Sequence, residues 1–193
     1  MISIDGGKPR RFTADPSNEV RPSWSRDGRW IYFGSNRSGA WQIWKAPAGG
    51  GQALQVTRSG GEEAFESITA KYLYWAKQEP EPGIWRMPVA GGEETRVIEK
   101  GGRSLFAVAE PGIWFLDVDA GGAITLKNFD ETSGRVEKFR EFPSGTRMVM
   151  SSTTMSVSPD GFCTYKMIRS AAIWCCSTRS ADRLRIVDSR VSL

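Results

Sequence analysis

The sequence predicts an all-β fold of repeated four-stranded antiparallel sheets, and three observations predict it. The first is a repeat. Ile43-Trp44-Lys45-Ala46-Pro47 returns 41 residues later as Ile84-Trp85-Arg86-Met87-Pro88, and Gly50-Gly51 returns as Gly91-Gly92. Ahead of it, Arg29-Trp30-Ile31-Tyr32-Phe33 returns as Lys71-Tyr72-Leu73-Tyr74-Trp75, at an offset of 42. Periods of roughly 20–50 residues mark solenoids, propellers or arrays. The second observation is the rhythm inside each period, four short β-rich runs joined by hairpin-length turns. The third is that Trp30-Ile31-Tyr32-Phe33 is apolar on both alternating faces. A strand with one wet face alternates with polar residues; one apolar on both faces is covered on both. Sheets packed face to face around an axis supply that cover, so the fold class is a β-propeller with about four blades.

The 193 residues form one propeller region, 1–193. The first blade spans 20–57. Val20 to Ser25 reads as a strand, and Arg26-Asp27-Gly28 turns it, because glycine accepts a positive φ without a Cβ clash. Arg29 to Ser35, Trp41 to Ala46 and Gln52 to Thr57 complete the meander. The second blade spans 62–98, with Phe65 near the place of Trp24 and strands at Tyr72 to Trp75, Ile84 to Val89 and Glu94 to Ile98. Its first turn reads Ile68-Thr69-Ala70, where β-branched residues oppose a positive φ, which puts that hairpin in doubt. The third blade spans 103–142, with strands at Ile113 to Val118, Ala123 to Phe129 and Val136 to Phe139. A divergent fourth blade spans 153–190. Thr154 to Gly161 restates the Trp24-to-Gly28 turn, but the rhythm fails over 162–182 and returns at Leu184 to Asp188. Residues 2–13 match the tail of a unit: either these strands complete the last blade and close a ring of four, or, as the favoured expectation, the chain is an excerpt of a larger propeller begun mid-repeat.

Composition narrows the function. With 39% hydrophobic residues and eight Trp, the chain can build a core and is not of the disordered class. It has no apolar run long enough for a helical membrane span and no secretory leader pattern. Residues 1–60 hold nine Lys/Arg against four Asp/Glu, but these cations are scattered singly apart from Arg10-Arg11. Scattered charge solubilises a surface; a nucleic-acid face gathers its cations into a stripe. The chain has no His, which removes the usual general base and the centre of a Ser-His-Asp triad. Cys163, Cys175 and Cys176 lack zinc-site spacing and make no disulfide framework. No catalytic, cofactor or metal residue is assigned.

The stretch Pro22-Ser23-Trp24-Ser25-Arg26-Asp27-Gly28-Arg29-Trp30-Ile31-Tyr32-Phe33-Gly34-Ser35-Asn36-Arg37, continued by Ile43, Trp44, Gly49-Gly50 and Thr57, resembles the WD-like repeat of TolB-type β-propellers. That repeat is a Trp-Ser-Pro-Asp-Gly-Lys turn, an apolar strand, a Ser-Asn-Arg loop and a Gly-Gly turn before a Thr. The resemblance is strong in the first blade, good in the second half of the second, and partial beyond. It implies that Ser25, Asp27 and Gly28, with Ser158, Pro159, Asp160 and Gly161, shape hairpins. It also implies a bacterial module, periplasmic where it follows TolB, in a longer parent with a regulator, kinase or peptidase domain. The sialidase Asp box has similar letters, but here no residue stands between Asp27 and Gly28.

The expected function is a non-catalytic platform that binds a protein or peptide, or senses one, with no cofactor, nucleic acid or membrane insertion. Asn36-Arg37-Ser38-Gly39 and Gln78-Glu79-Pro80-Glu81-Pro82 are the loops expected on a binding rim. The alternative is the propeller of a prolyl-oligopeptidase-type serine peptidase whose catalytic domain lies elsewhere. A sugar-binding propeller is a third reading, weakened because most aromatics sit on strands expected to be buried.

Overall fold

The structure is a computed structural model. It describes residues 1–2, 5–78, 80–102, 104–144 and four later strands at 154–158, 161–166, 172–176 and 184–188. The described residues form four sheets, each a four-stranded antiparallel meander in chain order. The first sheet is β1 (Glu19–Trp24), β2 (Trp30–Ser35), β3 (Gln42–Pro47) and β4 (Leu54–Gln55). The second is β5 (Ala64–Glu66), β6 (Tyr72–Lys77), β7 (Gly83–Pro88) and β8 (Thr95–Ile98). The third is β9 (Phe106–Ala109), β10 (Gly112–Val118), β11 (Ile124–Asp130) and β12 (Val136–Glu141). The fourth is β13 (Thr154–Ser158), β14 (Gly161–Lys166), β15 (Ala172–Cys176) and β16 (Leu184–Asp188). Backbone packing divides the chain after Phe65 into Met1–Phe65 and Glu66–Leu193.

The repeat read from the sequence is a repeat of burial. In β2 and β6 every residue after the first is buried, on both faces. The strands that follow, β3 and β7, share a buried-buried-intermediate-intermediate-buried pattern over their first five residues. The alternating side chains of Ile31, Tyr32 and Phe33 are all covered, as are those of Leu73, Tyr74 and Trp75. Removing apolar area from water on both faces contributes about 25 cal/mol per Å², which is why the middle strands carry the aromatics. In the second unit, Leu105, Trp114, Leu116, Ile124 and Leu126 form one apolar cluster that Met155 of β13 joins.

The first hairpin shows what the Ser-x-Asp-Gly turn does. Ser25 N–H donates to the Trp30 carbonyl at 2.9 Å, and Gly28 N–H to the Ser25 carbonyl at 3.0 Å. The Ser25 hydroxyl donates to Asp27 at 2.7 Å and accepts from Trp30 N–H at 2.9 Å. Asp27 also takes the Arg29 N–H at 3.0 Å. Gly28 has φ +68°, the left-handed region. The Ser25 hydroxyl, followed by Arg29, holds the Asp27 carboxyl at about 2, below its ordinary 3.8. Because the folded value is depressed, the turn's contribution is complete above the unfolded pKa. It is lost as pH falls from about 4 toward about 2. Asp27→Asn is therefore expected to lower the thermal midpoint at pH 6. Melts repeated at lower pH should show the gap between the two proteins closing as the acid limit is reached.

The doubtful second hairpin forms, which corrects the expectation for Ile68-Thr69-Ala70. Ser67 N–H donates to the Tyr72 carbonyl at 2.7 Å, and Ala70 N–H to the Ser67 carbonyl at 2.9 Å. These are the bonds of the first turn, displaced by 42 residues. Ala70 takes the glycine's place at φ 55°; its small side chain makes the left-handed cost bearable, about 1–2 kcal/mol. The β-branched residues sit at the turn positions before it. With no Asp available, the Ser67 hydroxyl accepts both the Lys71 and Tyr72 N–H groups at 3.1 Å. The displacement also corrects one alignment: Glu66, not Phe65, takes the place of Trp24 in the turn frame.

Three other expectations change. The loss of rhythm over 162–182 does not extend to the backbone at the described positions. β14 pairs with β15 without a break from Phe162↔Cys176 to Lys166↔Ala172. Backbone pairing needs extended residues, and Phe-Cys-Thr-Tyr supplies them even where its letters leave the repeat. The rest of that stretch, and the turn residues Pro159 and Asp160, lie outside the described residues. The strand Phe106–Ala109 was not foreseen in the third blade. In the tail 2–13 the described residues form no blade strand; instead Met1 and Arg10 exchange backbone hydrogen bonds at 2.6 and 2.7 Å.

The Thr that ends the first unit is a buried junction. Its hydroxyl accepts the Ile43 N–H at 2.9 Å and donates to the Gln42 side-chain oxygen at 2.9 Å, which also takes the Gly60 N–H at 3.0 Å. Thr57 is fully buried. Thr57→Val keeps the shape but orphans the Ile43 N–H, so a loss of about 1–3 kcal/mol is expected in urea unfolding.

Candidate functional site

The two loops expected on a binding rim are tied to the scaffold. The Arg37 guanidinium lies 4.9 Å from the Trp44 ring and 5.4 Å from that of Phe33. It pairs with Glu19 and, at 3.8 Å, with Asp15. In the second blade, the buried Lys77 ammonium sits 3.3 Å from the Trp85 ring centroid, with Glu94 at 3.6 Å and Glu81 at 3.8 Å. Burial, the largest effect on Lys77, pushes its pKa down against those carboxylates. Trp44 and Trp85 are equivalents in the repeat, so one aromatic face is capped by a cation in both blades. These contacts spend the charge of the loops on internal structure. Glu79 lies outside the described residues.

Two clefts open elsewhere. In the first unit a cleft of about 480 Å³ is walled by Met1, Ile2, Phe12, Val20, Trp24 and Phe33 among others. Phe12 and Phe33 meet edge to face at 6.5 Å, and Trp24 is 57% exposed. Its carboxylate, Glu19, is already engaged by Arg37 and Thr13. The cleft is apolar and suits a hydrophobic side chain.

In the second unit a cleft of about 510 Å³ is built from the turns of three hairpins, β5–β6, β9–β10 and β11–β12. The first contributes Thr69, Lys71 and Tyr72; the second, Glu110 and Pro111, joined by a cis peptide; the third, Glu131 and Thr132. These turns stand at the opposite end of the strands from the loop at 78–82. Glu131 N–H donates to the Pro111 carbonyl at 3.3 Å, which ties the second and third turns together. Gly112 makes this approach feasible: a Cβ there would stand 2.9 Å from the Glu131 nitrogen. The Asp130 carboxylate fixes the third turn by accepting the Thr132 and Ser133 N–H groups at 2.9 and 2.6 Å. Those bonds, Ser133 first, hold its carboxyl below the usual range. Glu131 accepts a bond from Thr69 at 3.2 Å.

Tyr72 and Tyr74 share a face of β6, with rings 6.3 Å apart. Arg86 lies over the Tyr72 ring at 4.4 Å. Tyr74 is fully buried and its hydroxyl makes no hydrogen bond of good geometry. Burial raises its pKa above the ordinary tyrosine value, while Arg86 lowers it and Glu131 raises it further. The arrangement offers two carboxylates, one ammonium, two threonine hydroxyls and an aromatic ring. That is a set for polar recognition, and no sequence signal gathered these residues, because they come from three blade turns of different lengths. Among the described residues no three metal-capable side chains cluster.

No protein-family model matches the chain. An uncharacterised protein of Agrobacterium fabrum is 40% identical over 64 residues, which are 33% of this chain and 22% of that protein. The chain thus spans about a fifth of the curated relative it matches. Among solved structures, a putative TolB from Agrobacterium tumefaciens superposes with a TM-score of 0.68 at 16% identity, over 91% of this chain and 64% of that one. A puromycin hydrolase superposes at 0.67 and 17% identity, over 94% of this chain and 30% of that one. A chain of the nidogen/laminin complex reaches 0.72 at 9% identity, over 92% of this chain and 68% of that one. At such identities the likeness speaks for fold alone, and the fold is that of β-propeller blades.

Proposed function

We propose that this propeller module is a non-catalytic platform that binds a protein or peptide segment. The observation that carries the reading is the cleft of the second unit. It is polar, open, and assembled from turns of three hairpins on a rigid scaffold, the arrangement by which folds present recognition surfaces. Its residues offer hydrogen-bonding and charged partners but no nucleophile paired with a base. The reading is tested by panning a random peptide library on the immobilised protein. Enrichment is expected, competed by free protein and reduced by Glu131→Lys. No enrichment above a blank surface would reject it.

A second reading is that the module accompanies a serine peptidase domain, supported by the likeness to puromycin hydrolase. It predicts a Gly-x-Ser-x-Gly elbow and a His in the same reading frame. Sequencing that frame in full decides it: a frame without them leaves the platform reading alone.

A further inference from the structure

We propose that the cleft of the first unit is a binding site for an extended peptide segment led by a phenylalanine-sized side chain, and that the chain's own residues 11–13 occupy its edge as a tethered ligand. This site is separate from the cleft of the second unit and does not rest on it.

The packing of the other blade faces shows what covers such a surface. On the first blade, the backbone of Glu62 lies against Gly34, closer than a Cβ there would permit. On the third, the side of β10 that carries Trp114 and Leu116 takes Met155 of β13. Each blade therefore gives one side to the segment that follows it. Side chains alternate along a strand, so Ile113 and Phe115 belong to the opposite side, and both are buried. Gly101 reaches them from the exit of the second blade. A Cβ there would stand 3.1 Å from Ile84 and 4.0 Å from Phe115. Apolar groups of an extended segment thus close that side of the third blade. The matching side of the first blade, with Ile31 and Phe33, borders the cleft instead.

A second observation names the occupant. Phe12 is already seated, its ring edge to face on Phe33 at 6.5 Å, and the next residue, Thr13, donates its hydroxyl to Glu19. Arg11-Phe12-Thr13 restates Gln55-Val56-Thr57, the ending of the first unit. There the ending is held inside its own blade: Val56 N–H donates to the Ile43 carbonyl at 2.8 Å and the Thr57 hydroxyl to Gln42 at 2.9 Å. In the tail the same ending is docked on the blade ahead of it. The bonds between Met1 and Arg10 run within the tail and do not fix it to that blade. Met1, Ile2 and Trp24 line the cleft yet remain 40%, 59% and 57% exposed, so the tail leaves apolar surface that a fuller segment would cover. Arg37 neutralises Glu19, which leaves apolar contact, with one hydroxyl acceptor, to select the ligand.

The test is fluorescence anisotropy with a labelled, capped peptide copying residues 8–13, Lys-Pro-Arg-Arg-Phe-Thr, and a counterpart with serine in place of the phenylalanine, which keeps the charge. A tethered competitor acts at about millimolar effective concentration, so the Phe12→Ser protein is expected to bind the phenylalanine peptide at least about threefold more tightly than the parent protein. To that variant the serine peptide is expected to bind at least about tenfold more weakly, the scale for leaving one aromatic side chain unburied. Adding Trp24→Ser is expected to remove most of this preference, and adding Glu131→Lys to leave it intact. Trp24 and Phe12 lie outside the core, and thermal melts confirm that the variants fold. Equal binding of the two peptides, equal binding by the parent and Phe12→Ser proteins, or indifference to Trp24→Ser would each overturn the proposal. Loss of the preference with Glu131→Lys would move the peptide to the other cleft and overturn it as well. Sedimentation of the Phe12→Ser protein tests the remaining occupant: a dimer that the phenylalanine peptide fails to dissociate would give the face to a second copy and overturn the peptide site.

Discussion

Gly34→Ala is expected to be among the most destabilising single-atom-scale changes in the chain. A Cβ at this position would stand 2.8 Å from both the Cα and the carbonyl carbon of Glu62, and closer still to its carbonyl oxygen. All three are backbone atoms, so no rotamer change relieves the overlap. Gly34 pairs with Val20 on one side and Ile43 on the other, so its own strand is held by two neighbours. Overpacking at such a site costs about 3 kcal/mol. The segment that must give way carries Glu63, which pairs with Arg21 at 3.2 Å, and Ala64, whose carbonyl receives the Ser23 hydroxyl. Urea unfolding should show a lower midpoint with an unchanged slope. A midpoint equal to that of the parent protein would mean that the close approach does not exist in solution.

Trp75→Ala is expected to have the second large effect. Trp75 is fully buried on β6, with Trp85 as its cross-strand partner. Truncating a buried Trp costs about 3–5 kcal/mol, part transfer and part cavity. Its indole N–H, however, has no hydrogen-bond partner, so the native residue already bears a desolvation cost of about 1–3 kcal/mol. Trp75→Phe removes that donor and keeps much of the ring. It is therefore expected to recover more than half of the loss caused by alanine. Thermal unfolding of the two variants side by side checks this; equal losses would show that indole volume alone matters.

How much of this was legible in the sequence depends on what each feature is made of. Strands β2 and β6 were readable because both faces are apolar, and β3 and β7 because their letters recur. The turn at Ser67 was misjudged because the turn is made by a hydroxyl and one left-handed residue, and Ala70 meets the second need without being glycine. Gly34 sat inside the recognised motif, but its role is contact with a segment 28 residues on, and no local pattern encodes that. β9 was missed because Phe-Ala-Val-Ala is short and uniform, so period two leaves no mark on it. Arg37 was read as a loop residue open to partners, yet its chemistry is directed inward to Trp44 and Glu19. The cleft of the second unit was invisible because Glu110 and Glu131 come from turns without a shared motif. Only the folded register brings their turns together.

The cation resting on Trp44 and on Trp85 has a mechanical consequence. The capping charge comes from the third position after Gly34 in one blade and from the last strand residue, Lys77, in the next. What recurs is a fastening, not a letter. Each of these two blades is pinned at that end by a charge clipped to an indole. Amide hydrogen exchange should therefore be slower in the arginine loop at 36–39 than in the Gly-Gly turn at 49–51.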